Sequence, residues 1–420
     1  MRRLIARSHF ARTAAQGEGT VSFRYVVTCL TVLVTACLSA SCQTSKIVGQ
    51  DVKSVVIGQP MDNSGLKTAL AADTKDMEAN LKLLRNKLMQ AYAQLRTNVQ
   101  KRWGQNDAKM ADRTVYVKYT QGYKSRVVTD FDHGSLTIET VDDKDPEGSL
   151  RQAIVAALLT SNDPGSVDLF TDKDVDLDAK RRPYLYGLVN DNTGKPVRTR
   201  AQAQAFANFL VSQKVQTRPV KGDRGAQTAR FVKLAMVRNF EAKGAERYRP
   251  LVDKYAAQYN VSPTLVLAIM RTESNFNPFA VSGAPAYGLM QLVPTSGGRE
   301  AYKRAQGVDE TPTPEYLFDP DHSIELGSAY LGTLSSTEFR AVDNQESRDY
   351  CVIAAYNTGP RNVTRTFAND RKAALDSINH METIAVYDKL RTGLPMEETR
   401  NYVVKVSGYR KQFALPTQSQ

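Results

Sequence analysis

Apolar and polar positions along the chain change period several times, and each change marks an element. An apolar run at residues 25–37 follows Arg24 and gives way to small residues up to Cys42. It is shorter than the roughly 20 apolar residues that a bilayer-spanning helix needs. A charged start, a short apolar core and a small-residue end fit a secretory signal. Residues 43–75 are polar and irregular and read as a tether. Leu81, Leu84, Leu88, Tyr92, Leu95 and Val99 then recur at three- and four-residue steps, one apolar stripe on a helix that Trp103-Gly104 ends.

Strand and helix signals mix over residues 110–240. Period-two alternation of β-branched and aromatic residues predicts strands at 114–119, 126–128 and 135–141, the apolar stretches 184–189 and 231–237 also read as strands, and turns are expected at His133-Gly134 and at 192–194. Helical spacing predicts helices at 150–160 and 201–212. From about residue 245 the pattern is helical, with runs at 248–259, 263–274, 323–334, 348–356 and 399–412 separated by Gly, Pro and Asn. No repeat at solenoid periods is present. The expected fold class is α+β: a mainly α C-terminal domain at 245–415, preceded by a small α+β accessory domain at 76–240 that includes the leading helix.

The net charge of +12 suggests an acidic partner, but its placement matters more. Residues 245–420 carry 19 Lys and Arg against 20 Asp and Glu, so the basic excess lies upstream. With no aromatics interleaved in a basic patch and no known reading motif, nucleic acid is not the expected partner. The basic accessory domain suits an anionic surface. Cys29, Cys37 and Cys42 sit in or beside the first apolar stretch, which leaves Cys351 alone in the body and excludes an intrachain disulfide there. The scattered His9, His133, His322 and His380 give no metal-ligand spacing. Neither a zinc site nor a Cys/His nucleophile is expected, and no cofactor is implied.

A cysteine directly after small residues resembles the lipobox of bacterial lipoproteins. Two registers compete, Val34-Thr35-Ala36-Cys37 and Ser39-Ala40-Ser41-Cys42. The first has the better branched residue; the second runs straight into the polar tail. Cys42 or Cys37 is therefore the expected lipid anchor, holding the protein to a membrane. Neither has Asp next to it, which in Gram-negative lipoproteins implies sorting to the outer membrane, facing the periplasm. Residues 1–20 are polar and Arg-rich and match no part of such a signal. A start at Val21 from a GUG codon would account for them.

One helix carries a chemical signal. Ser262 is a good N-cap and Pro263 a good first residue for the run to Ser274. Leu265, Val266, Ile269 and Met270 form its buried face, and Glu273 falls on that face four residues after Ile269. A carboxyl group is thus delivered to the core side of the helix C-terminus. Partial burial and the negative end of the helix dipole would both raise its pKa, as a general acid for a glycosidic bond needs, although taken alone the position reads first as an exposed helix-end Glu.

The surrounding motifs resemble the catalytic domain of the soluble-lytic-transglycosylase type. They run in order: Glu273-Ser274-Asn275-Phe276-Asn277-Pro278, Ala280-Val281-Ser282, Gly288-Leu289-Met290-Gln291 with Pro294, and Leu317-Phe318-Asp319-Pro320. Ile324, Gly327, Tyr330 and Leu331 follow, then Ala354-Ala355-Tyr356-Asn357 with Gly359, and Pro395, Glu398-Thr399 and Tyr402-Val403. Upstream, Val117-Lys118-Tyr119, Ile138-Glu139-Thr140, Asp163-Pro164, Val167-Asp168-Leu169 and 191–194 are similar to the N-terminal domain of the membrane-bound lytic murein transglycosylase C family. Ser323 stands where Asn is usual and Arg361 where Gly is usual. The first departure is expected to loosen a helix cap and the second to narrow or charge a groove edge.

The resemblance implies a lysozyme-like catalytic domain acting on peptidoglycan glycan strands, with Glu273 as the single catalytic acid/base. It would cleave the MurNAc-β-1,4-GlcNAc bond and form 1,6-anhydroMurNAc. Gly288, Met290 and Gln291 would line the sugar groove, with Ser282 and Gln291 as hydrogen-bonding groups and Tyr356 and Asn357 opposite the acid. Bland alternatives stay open: Tyr356 as core aromatic, Asn357 as turn residue, Gly288 as helix-entry glycine and Met290 as core filler. Ser274 and Tyr402 are structural or groove residues, and Glu398 a capping or ion-pair residue. Two rival readings are a hydrolytic muramidase, which a second carboxylate near Glu273 would favour, and a non-catalytic peptidoglycan-binding lipoprotein, which the intact Glu273 argues against.

Overall fold

The computed structural model describes residues 86, 89–177, 182–223, 225–282 and 286–415. The signal-like segment, Cys37 and Cys42, the tether, and Leu81, Leu84 and Leu88 of the first stripe lie outside the described residues. The rest of that stripe is a helix, α1 (residues 89–103), which buries Leu95, Val99 and Trp103. It packs on one face of a five-stranded antiparallel sheet.

The sheet comprises β1 (Val115–Thr120), β2 (Ser125–Asp130), β3 (Ser135–Thr140), β4 (Gln216–Gly222) and β5 (Gly225–Ala235), in the order β1-β2-β3-β5-β4. Period-two alternation divides the side chains between two cores. Val117 and Tyr119 face α1. Tyr116, Val127, Leu136 and Ile138 face α2 (Pro146–Leu159) and α3 (Arg200–Gln213). The predicted 231–237 strand is the second half of the longer β5. Its partner β4 is absent from the sequence reading because Pro219 and charged residues break the strand pattern. An edge strand tolerates such a proline, and β4 pairs with β5 alone.

The expected strand at 184–189 is instead a succession of turns with an isolated Tyr186–Val189 bridge. Tyr184, Leu185, Leu188 and Val189 are all buried. An apolar run without strict alternation can enter a core as compact turns as readily as an extended strand.

Helices dominate the remainder: α4 (Phe240–Tyr259), α5 (Pro263–Ser274), α6 (Arg299–Gln306), α7 (Pro314–Phe318), α8 (Pro320–Thr333), α9 (Gln345–Thr358), α10 (Pro360–Phe367), α11 (Arg371–Asn379), α12 (Thr383–Gly393) and α13 (Glu397–Ala414). Helix α4 starts at Phe240, ahead of the expected residue 248, and continues through Pro250. Every residue from Leu265 to Met270 is buried, which makes α5 the central rod, with α13, α4 and α8 against it. Short amphipathic helices such as α6 and α10 carry too few apolar residues for a periodic signal.

Sheet and helices belong to one compact unit, residues 85–420. The sequence reading expects separate cores, but Phe279 crosses between them. Fully buried, it stacks on Tyr116 at 4.3 Å and meets Tyr184 edge-on at 5.3 Å, inside the core of the sheet. Burying an aromatic side chain of this size removes about 150–250 Å² from water. No helix among the described residues is long and apolar enough to cross a membrane.

Candidate active site

The site begins at the end of α5. Pro263 opens the helix as its first residue, and Ser262 has the extended backbone of an N-cap, although its hydroxyl bonds to that of Thr264 at 2.8 Å rather than to a free N–H. Asn275 ends the helix in the left-handed conformation, φ 43°. Its Nδ2 donates to the carbonyl of Phe131 at 2.7 Å and to Asp132 Oδ1 at 3.3 Å, which moors the helix end to the β2–β3 hairpin. Left-handed backbone is tolerated by Asn more readily than by most residues. Ser274, one position earlier, donates to the carbonyl of Leu289 at 2.8 Å and so attaches the 286–292 loop beneath the helix end.

Glu273 is only 6% exposed. Its Oε1 accepts a hydrogen bond from the Tyr402 hydroxyl at 2.7 Å, and its Oε2 lies 3.7 Å from Nη1 of Arg113. Burial dominates its electrostatics and pushes its pKa up to about 7; Tyr402 and then Arg113 oppose the rise, and Glu398 adds to it. A carboxyl group poised near neutrality can both give and take a proton. The apolar face of α5 predicts the burial of Glu273; Arg113 lies far upstream, in a segment that shows no catalytic pattern.

Glu273 opens into a cleft of about 600 Å³, whose walls include Ser282, Gln291, Tyr356, Asn357, Glu398 and Arg113. Gln291, at φ 46°, donates through Nε2 to the carbonyls of Gly288 at 2.9 Å and Ala280 at 3.2 Å. Its buried Oε1 has no partner among the described residues. The Tyr356 hydroxyl donates to the carbonyl of Met290 at 2.8 Å, so it is tied to the cleft floor and its ring forms the wall. Asn357 accepts from the Thr399 hydroxyl at 2.7 Å through Oδ1, which fixes its amide.

Gly288 and Met290 lie beneath the cleft rather than on its wall. Gly288 takes φ 74°, and a Cβ there would stand 2.0 Å from the carbonyl oxygen of Leu317, so only glycine fits the loop. The fully buried Met290 side chain packs against Gly327, as core filler does. Tyr402 stands behind Glu273. Glu398, exposed in the first turn of α13, makes no ion pair or cap bond among the described residues, contrary to the expected capping role.

The two departures from family pattern act differently from expectation. Asp319 caps α8 through bonds from the N–H groups of Asp321 and His322, so Ser323 loosens no cap. Ser323 Oγ instead accepts from Met290 N–H at 3.2 Å. Arg361 is exposed on α10 and does not line the cleft.

Residues 79–247 match the family model described as the membrane-bound lytic murein transglycosylase C N-terminal domain, and residues 250–379 match the transglycosylase SLT domain. The membrane-bound lytic murein transglycosylase C of Serratia proteamaculans is 40% identical over 84% of this chain and 93% of its own length. The chain belongs to the membrane-bound lytic murein transglycosylase C family. The relative of that name from Yersinia pestis is 42% identical over 75% of this chain and 87% of its own length. A solved structure of an inactive mutant of the lytic transglycosylase Slt from Pseudomonas aeruginosa aligns with a TM-score of 0.32 and 28% identity, over 40% of this chain and 25% of that one. Glu273 and the 282–291 and 356–357 segments fall within the SLT match, and Arg113 within the N-terminal match of this transglycosylase family. Glu398 and Tyr402 lie beyond both.

Proposed function

We propose that this lytic transglycosylase cleaves the MurNAc-β-1,4-GlcNAc bond of peptidoglycan with Glu273 as its single general acid/base. The observation that carries the reading is one buried carboxyl group, with a pKa near 7, at the base of an open cleft. Protonated Glu273 gives its proton to the glycosidic oxygen as the C1–O bond breaks. The resulting carboxylate then takes the proton of the MurNAc 6-hydroxyl while that oxygen closes onto C1. A 1,6-anhydro ring forms, the carboxyl group is regenerated and no water is consumed. The internal nucleophile supplies effective molarity that a free water lacks.

Gln291 supports this reading as a cleft-wall residue whose amide nitrogen is fixed by the carbonyls of Gly288 and Ala280. Ser282, Tyr356 and Asn357 complete the glycan-binding wall, while Gly288, Met290 and Ser274 shape the loop beneath it. Glu398 is solvent-exposed at the cleft rim, in the first turn of α13. The name of the family supports membrane attachment, here through lipid on Cys42 or Cys37 at the periplasmic side of the outer membrane.

Digestion of purified peptidoglycan by the protein and by Glu273→Gln, with mass spectrometry of the released muropeptides, tests the reading. Products one water lighter than hydrolysis products, absent with the variant, are expected. Full-mass reducing ends identify a hydrolase instead, and no release by either protein identifies a binding lipoprotein.

A further inference from the structure

Arg113 is a charged cleft residue to which the acid/base cycle so far gives no role. It precedes β1, yet its Nη1 reaches within 3.7 Å of Glu273 Oε2. Its position is built from both sides. Asn277 Nδ2 donates to the carbonyl of Arg113 at 3.1 Å, and the N–H of Val281 donates to the carbonyl of Asp112 at 3.4 Å. Asp112 Oδ1 in turn accepts from the N–H groups of Thr114 and Val115, each at 2.9 Å. The backbone around Arg113 is therefore held by the same segment that follows Glu273. Its side chain, 43% exposed, also borders a second cavity of about 260 Å³ beside the cleft.

The groups that face the Glu273 carboxyl come from three places. Helix α13 supplies Tyr402 and Glu398, α9 supplies Tyr356, and the segment before β1 supplies Arg113. Tyr402 is a neutral donor, the Tyr356 hydroxyl is engaged with Met290, and Glu398 repels a neighbouring carboxylate. Among these groups Arg113 is the one cation.

We infer that Arg113, delivered by the sheet region, is a positioning residue for the acid/base: its guanidinium stabilises the carboxylate that Glu273 becomes between giving and recovering its proton. This rests on the reading of Glu273 as the acid/base. Burial and Glu398 both oppose that carboxylate, so without the cation Tyr402 alone would support it. An opposite charge at this distance favours the ionised form and keeps both steps accessible to one group. The sheet region is then part of the catalytic centre as well as a platform.

The test compares pH profiles of kcat/KM on peptidoglycan for the full chain, Arg113→Ala, Arg113→Lys and Glu273→Gln. The native alkaline limb is expected near pH 7, where Glu273 loses its proton. In Arg113→Ala that limb should move up by about half a unit to one unit, below the usual one to three because the guanidinium is partly solvated. Arg113→Lys should restore most of the native position, with thermal stability unchanged in both. An unmoved limb in Arg113→Ala, whatever the loss in rate, overturns the inference while an inactive Glu273→Gln keeps Glu273 as the acid. If Glu273→Gln still releases anhydro products, the acid/base reading and this inference fall together.

Discussion

The Tyr402 hydroxyl donates to Glu273 Oε1 at 2.7 Å, and both side chains are buried. The bond joins the last helix to the end of the central one. It also orients the carboxyl group, so that Oε2 lies on the side of Arg113. Burial raises the pKa of the acid, and this bond restrains the rise.

Tyr402→Phe keeps the ring and removes the donor. Hydrogen bonds to charged groups contribute about 1.5–3 kcal/mol, so a loss of roughly ten- to a hundredfold in kcat/KM is expected. The alkaline limb should also shift upward, because the carboxylate loses a donor. A variant with native rate and an unmoved limb would show that the bond does not tune the acid.

Glu273 should cost stability where it is ionised. Its folded pKa, about 7, lies above the unfolded value of 4.5, so the folded state binds the extra proton between those values. Stability is therefore full below pH 4.5 and declines as pH rises through 7, by up to about 3 kcal/mol. Glu273→Gln has no such term. It should unfold at a higher temperature than the native chain at pH 8 and show little advantage at pH 4.5; equal gains at both pH values would contradict the raised pKa.

Asn275 serves the fold twice, through its left-handed backbone and its bond to the Phe131 carbonyl. Asn275→Gly keeps the backbone but loses the bond, and Asn275→Ala loses both. Unfolding in urea should show the alanine variant about 2 kcal/mol less stable than the native chain, and the glycine variant between the two. Alanine at native stability would mean that neither contribution matters.

Much of this architecture is legible along the chain. Period-two alternation marks β1 to β3, and Pro263, the apolar face of α5 and Asn275 mark the helix that presents Glu273, because caps and periodicity are local properties. The family motifs likewise identify Ser282, Gln291, Tyr356 and Asn357, which line the cleft. Sequence alone left open whether Tyr356, Gly288 and Met290 touch sugar or support the loop. In the structure the Tyr356 hydroxyl goes to the Met290 carbonyl while its ring lines the cleft, and Gly288 and Met290 do not line it.

The strand around Pro219, the turns at 184–189 and the place of Arg113 depended on tertiary structure. An edge strand is defined by the partner it finds, not by its own pattern. An apolar run becomes turns when the core it enters is already formed by other strands. Arg113 meets Glu273 because Phe279, just beyond α5, inserts between Tyr116 and Tyr184 while Asn275 and Asn277 bind the sheet region's backbone. The sequence by itself determined the helix that carries the Glu273 carboxyl group, the apolar face that buries it and the family to which the chain belongs. The close packing of one core into another decided which cation stands beside that acid, since no local period relates residues so far apart in the chain.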